Sequence, residues 1–162
     1  MDALEKRGAV KLLRRMRNGV IFREIKAVRI HPGGKELLLN WLLVAGGGAI
    51  GSALRYGLAL FVQRSLGADW PFGTLAANII GSFIIGCTYE LLVARELFSE
   101  EVRLFTMIGL LGGFTTFSAF SLETLLMFQE GDWLLAALYV ALSVAGCLLA
   151  VWAGFQFAAA VT

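Results

Sequence analysis

Charge is scarce in this chain. Only 16% of its 162 residues are Asp, Glu, Lys or Arg, where soluble domains carry about 25%. With glycine counted and tyrosine left out, roughly two-thirds of the residues are apolar, against about 45–50% in globular proteins. Too little polar chain remains to build a water-facing exterior, which argues against a soluble enzyme and for a membrane protein. Cysteine is nearly absent as well. Cys87 and Cys147 each lie in an apolar run with no CxxC spacing, so nothing suggests a disulfide framework or a zinc site. The single histidine, His31, has no companion at metal-ligand spacing. The start of the chain also lacks the compact positive, apolar, small-residue order of a signal peptide.

The charge that is present is unevenly placed. Residues 1–40 hold ten Lys or Arg against four acids, a local +6, whereas residues 41–162 sum to −4. No separate folded nucleic-acid module accompanies this basic segment, so anionic lipid headgroups are its expected partner and nucleic acid is not. Val10, Leu13, Met16 and Val20 recur among the basic residues at helix-like spacing. The segment reads as an interfacial helix, with a misassigned start codon as the competing reading. The remainder, 41–162, holds four apolar runs at about 41–62, 72–94, 103–128 and 133–158, each long enough for the roughly 20 residues that cross a bilayer. The connectors between them are short, which makes neighbouring helices antiparallel.

Glycine is abundant, at 19 residues, about 12% against a usual 7%. Gly47 and Gly51 form a GxxxG pair in the first run, and Ala77/Gly81 and Ser82/Gly86 repeat small-xxx-small spacing in the second. Such spacing lets helix backbones approach closely in lipid. The third run holds Gly112-Gly113-Phe114-Thr115-Thr116-Phe117-Ser118-Ala119-Phe120-Ser121 near its middle. Two glycines before a Thr/Ser cluster invite a helix break, and a break frees carbonyls that must line a cavity or bind something. A continuous helix whose hydroxyls bond back to the preceding turn is the alternative.

Several polar groups then need partners. Asn78 lies in the second run, one turn after Thr74, and requires either an interhelix hydrogen bond or a ligand. Phe117 and Phe120 share a helix side and suit core packing, or a path whose positive ring edges face an anion. Tyr139, Ser143 and Cys147 recur every four residues along the fourth run, as a polar track or as ordinary packing. Arg55 either snorkels to the interface or caps a pore vestibule. Glu123, the acid well inside a span, pairs with a polar neighbour, and Glu90 lies near its helix end.

Together these residues resemble the Fluc fluoride channels, also known as the CrcB family. The matching pieces are Gly47 to Tyr56, Gly73 to Gly81 and Gly112 to Ser121, and the resemblance covers about 41–158. It implies an all-α membrane protein with four transmembrane helices per subunit, the third broken mid-span, in an antiparallel, dual-topology homodimer. It implies a passive channel exporting fluoride from the cytoplasm through two pores, with no catalysis, in a bacterial inner membrane. By the same resemblance Phe117 and Phe120 line the pores, Asn78, Tyr139 and Ser143 supply polar contacts, and Thr116 and Ser121 lie near the path. The backbone carbonyls of Gly112 and Thr115 would hold a structural sodium ion between the subunits.

The chain departs from the family pattern at Ala119 and Cys147, where hydroxyl residues are common, and in its basic N-terminal extension. The extension's Lys and Arg favour a cytoplasmic N-terminus, in conflict with dual topology. The alternative function is a small four-helix drug/proton antiporter, which needs a carboxylate embedded in the first span. That span has none. A structural subunit of a larger complex would explain the glycines but not Asn78 together with the third span.

Overall fold

The computed structural model describes residues 34–66, 71–94 and 99–161. Among these residues the chain is all helical, with no strand, and four stretches are long and apolar enough to cross a membrane: Glu36–Leu66, Phe72–Leu91, Glu100–Glu130 and Trp133–Val161. The interfacial helix expected over Val10–Val20, and His31, lie outside the described residues. The sequence from Leu38 to Thr162 forms one compact unit.

The first helix runs Gly34–Leu66, opening earlier than the apolar run that begins at Trp41. Pro32 and Gly33 are the last helix breakers before it, and nothing from Lys35 to Asn40 stops a helix. The second helix, Phe72–Thr88, follows Pro71, whose carbonyl accepts from Leu75 N–H at 3.2 Å. It continues as a π-helical turn over Tyr89–Ala94 that includes the buried Glu90.

The third span is compound. A helical turn at Glu100–Arg103 widens into π-helix over Leu104–Leu111 and returns to α-helix over Gly112–Phe114. Thr115 (φ −85°, ψ 159°) and Thr116 (φ −152°, ψ 116°) are extended, and a helix restarts over Phe117–Glu130. The glycine pair is itself helical; the backbone departs two residues after it, at Thr115. Gly113 answers a different need, because a Cβ there would sit 2.5 Å from the carbonyl oxygen of Gly48. The threonine supplies what a restarting helix wants, a side-chain oxygen for an orphan N–H: Thr116 Oγ1 accepts from Ala119 N–H at 3.2 Å.

Gly131, at φ 88°, ends that helix. Its N–H donates to Phe128 O at 3.2 Å, and Asp132 N–H donates to Met127 O at 2.9 Å, the paired bonds of a left-handed helix terminus that only glycine adopts cheaply. Asp132 O then accepts from Ala136 N–H at 2.9 Å, starting the fourth helix, Trp133–Val161. The reversal is complete within two residues.

Small residues set the packing. A Cβ on Gly51 would collide with the carbonyl of Leu110, and one on Gly47 with that of Phe105, so the first helix lies directly on the third-span backbone. Gly86 and Gly154 form a reciprocal crossing of the second and fourth helices, against Val151 and Phe83 respectively. Cys87 Sγ–H donates to Gly154 O across that crossing at 3.1 Å. Phe120, Met127, Ala136 and Tyr139 form a buried cluster between the third and fourth spans. Large apolar side chains such as Leu54, Phe61, Leu149 and Trp152 remain outside, as lipid or a second subunit requires.

Candidate functional site

The extended pair Thr115-Thr116 organises the site. In a continuous helix Thr116 N–H would bond the Gly112 carbonyl and Ala119 N–H the Thr115 carbonyl. Here Thr116 N–H donates to Asn78 Oδ1 at 2.8 Å, and Ala119 N–H donates to Thr116 Oγ1. The carbonyls of Gly112 and Thr115 therefore lose their helical donors. Gly113 O is covered differently, accepting from Arg55 Nε at 3.2 Å and, more weakly, from Ser52 Oγ at 3.4 Å. Arg55 thus reaches into the protein and covers a carbonyl at the interruption.

Asn78 completes a two-way bridge by donating from Nδ2 to Thr116 O at 3.0 Å. It reaches that position because its neighbours are small: Ala77 is fully buried, and a Cβ on Gly81 would strike the methyl of Thr115. The amide carries two N–H groups, and the bridge uses one. The sequence left a partner and a ligand as alternatives for Asn78. The geometry gives it a partner while leaving a donor over.

Beside this bridge lies a groove of about 320 Å³. It gathers Asn78, Thr115, Thr116, Phe117, Phe120 and Ser143, together with Gly81, Ser82, Ile85, Val144 and Cys147. The two phenylalanine rings meet at 5.4 Å between centroids, tilted by 49°. Phe120 is buried, whereas Phe117 is 78% exposed and forms the outer lip. Ser143 is only 5% exposed, and its Oγ has no hydrogen-bond partner among the described residues. A buried hydroxyl left unpaired costs about 1–3 kcal/mol.

Tyr139 stands apart from the groove. Its ring packs on Phe120 at 5.3 Å, and it lines a separate cavity of about 120 Å³ with Pro71, Phe72, Leu75, Leu138 and Leu142. Its hydroxyl donates to Glu123 Oε2 at 2.6 Å, while Thr74 Oγ1–H donates to Glu123 Oε1, also at 2.6 Å. One carboxylate therefore ties three spans together and fixes the ring behind Phe120. Ser121 is also outside the groove, exposed, with Oγ–H bonded back to Phe117 O at 2.9 Å.

Reading the sequence missed the Thr74–Glu123–Tyr139 network, whereas Ser143 and Cys147, two members of the ladder it described, do share the groove wall. A signal for the network was available: an acid inside a span needs donors, and Thr74 and Tyr139 are hydroxyl-bearing residues of neighbouring spans. For a cation the side chains offer little, since no group of three or more His, Cys, Asp or Glu converges among the described residues. The oxygens at the interruption are backbone carbonyls, the Thr115 and Thr116 hydroxyls and Asn78 Oδ1.

Comparison with known proteins gives this arrangement its family. The family described as CrcB-like protein, Camphor Resistance (CrcB), matches residues 42–155. The chain belongs to the CrcB family. It is 49% identical over 117 residues to the fluoride-specific ion channel FluC of Shewanella sp. strain ANA-3, covering 72% of this chain and 94% of that relative. The FluC of Shewanella oneidensis matches to the same extent, and that of Shewanella putrefaciens is 48% identical over 119 residues, 74% of this chain and 95% of the relative. With its four apolar helices, this CrcB-family chain is a multi-pass protein of the bacterial inner membrane.

Proposed function

We propose that this chain is a fluoride-specific channel that lets cytoplasmic fluoride leave passively and so relieves fluoride toxicity. The observation that carries the reading is the groove itself, lined by Phe117 and Phe120 together with the polar residues Asn78, Thr116 and Ser143. The relatives' name, fluoride-specific ion channel, supplies the ion.

The chemistry is that of partial dehydration. Fluoride is small and strongly hydrated, so a path must replace lost water with hydrogen-bond donors. Asn78 Nδ2–H and Ser143 Oγ–H do so without a fixed positive charge, which would trap the anion. The ring edges of Phe117 and Phe120 carry partial positive charge while excluding bulk water. Thr116 holds the backbone open through its cap, and Tyr139 with Glu123 buttresses Phe120 from behind. Because fluoride enters cells as neutral HF and dissociates there, a passive pore suffices for protection.

The assembly we infer is an antiparallel homodimer with two pores, each groove closed along its exposed Phe117 lip by the oppositely oriented subunit. The third span then acts as a broken membrane helix. Sodium is a hard cation that takes oxygen ligands, and the Gly112 and Thr115 carbonyls, deprived of helical donors, fit it. A sodium ion there, with the same carbonyls of the second subunit, would neutralise oxygen dipoles that hydrocarbon cannot.

The test is fluoride release from liposomes containing the purified protein, followed with a fluoride electrode and compared with chloride. Wild type releases fluoride selectively, and Phe117→Ile and Asn78→Ala lose that release. A correctly folded dimer that releases no fluoride overturns the reading.

A further inference from the structure

Tyr139 is the wall between two spaces. On one side its ring packs on Phe120 at 5.3 Å, and Phe120 packs on Phe117 at 5.4 Å at the groove. On the other lies the cavity of about 120 Å³ that it shares with Pro71, Phe72, Leu75, Leu138 and Leu142. Protein interiors hold few voids larger than a water molecule. This one is several times the roughly 10–15 Å³ that admits a single water.

The lining decides what can fill it. A buried water needs about two to four polar partners. Here the walls are a proline, a phenylalanine, three leucines and the ring of Tyr139, whose hydroxyl is turned to Glu123 Oε2. The Pro71 carbonyl is taken by Leu75 N–H at 3.2 Å. A polar ligand is left nothing to bond, whereas an apolar guest gains contact on most sides. Cavities of about 150 Å³ lined by Leu, Ile and Phe stay dry and bind benzene or xenon, so this volume suits one small ring.

Its depth supplies the guest. Pro71 to Leu75 cover the entry and first turn of the second helix, about 6 Å of rise, and Leu138 lies about 7–8 Å into the fourth helix from Trp133. Both helices start from the same membrane face, which places the cavity just beneath the headgroups. Leu138 and Leu142 remain 50% and 59% exposed, so the rim meets lipid and a molecule dissolved there enters without crossing the packed core.

We propose that this cavity binds a small apolar ring compound from the bilayer, and that occupancy stiffens Tyr139 behind Phe120 and slows permeation along the groove. Phe120 is buried between Phe117 and Tyr139, and a packed ring yields only toward free space. The cavity is that space: with its hydroxyl anchored on Glu123, Tyr139 gives by tilting into it, and a guest removes the room. Binding stands on the cavity alone; the slowing rests on the channel reading proposed above.

The experiment uses xenon for the site and benzene for the coupling. Crystals are pressurised with xenon, and fluoride release from liposomes is followed with and without benzene, for wild type, Leu75→Phe and Leu138→Phe. Leu75 packs on the buried cluster while Leu138 is on the exposed rim, so the variant that folds and excludes xenon is the one read. Wild type shows xenon between Leu75, Leu138 and Tyr139. Benzene slows its fluoride release by about fivefold or more, the rate change for a barrier raised by the low end of an overpacking cost. The filled variant releases fluoride slowly without benzene and does not respond to it. Wild-type crystals without xenon in the cavity, or with a lipid chain or a side chain of the second subunit filling it, overturn the site. Release unchanged by benzene, or slowed alike in wild type and the filled variant, overturns the coupling. A wild type that releases no fluoride overturns the channel reading and the coupling with it, while xenon still decides the site.

Discussion

Replacing Asn78 by alanine separates what the amide does for the fold from what it does for an ion. The wild-type amide bonds Thr116 N–H at 2.8 Å and Thr116 O at 3.0 Å. Alanine orphans the N–H outright, at about 1–3 kcal/mol. The carbonyl suffers less, because a residue in the capping position still accepts the first bond of the helix it starts, so its loss is about 1 kcal/mol. Together the substitution destabilises by about 2–4 kcal/mol, read as a lower unfolding midpoint in detergent. Asn78→Asp isolates the two halves: it keeps an acceptor for Thr116 N–H, turns its second oxygen against Thr116 O, and removes the donor toward the groove. The expected order of stability is wild type, aspartate, alanine, with fluoride release lost in both variants. An Asn78→Ala protein that unfolds with wild type would refute the bridge as the support of the extended pair, whatever its conduction.

Ser143→Ala removes a buried hydroxyl that has no partner, so unfolding in detergent stays within about 1 kcal/mol of wild type or shifts upward, while liposome fluoride release falls; a clear loss of stability with release intact would contradict the assignment. Cys147→Ser puts a strong O–H donor in place of a weak S–H donor on the groove wall, and fluoride release is expected to rise. In the wild-type protein a small membrane-permeant thiol reagent blocks release through Cys147, and Cys147→Ser abolishes the block, since Cys87 lies in the helix crossing instead. Gly51→Ala forces a Cβ into the Leu110 carbonyl, an overpacking cost of about 1–3 kcal/mol, whereas Gly57→Ala, with nothing within 4 Å, leaves the detergent unfolding midpoint unchanged or raised.

Composition and spacing were enough for the four spans, because apolar run length acts locally along the chain. The residue types at Gly47 to Tyr56, Gly73 to Gly81 and Gly112 to Ser121 also carried the family. What local pattern could not give was the allocation of partners. Two glycines before a Thr/Ser cluster invited a break without saying at which residue; the glycines are helical, Gly113 admits the Gly48 backbone, and the extended pair is Thr115-Thr116. Tyr139 shares a four-residue ladder with Ser143, yet its hydroxyl donates to Glu123, outside the groove that Ser143 lines. Asn78 and Thr116 are 38 positions apart, and only the close approach allowed at Ala77 and Gly81 makes one the hydrogen-bond template of the other. The sequence by itself determined which groups must be satisfied inside a membrane; the tertiary structure decided which neighbour satisfies each, and so which donors remain for an ion.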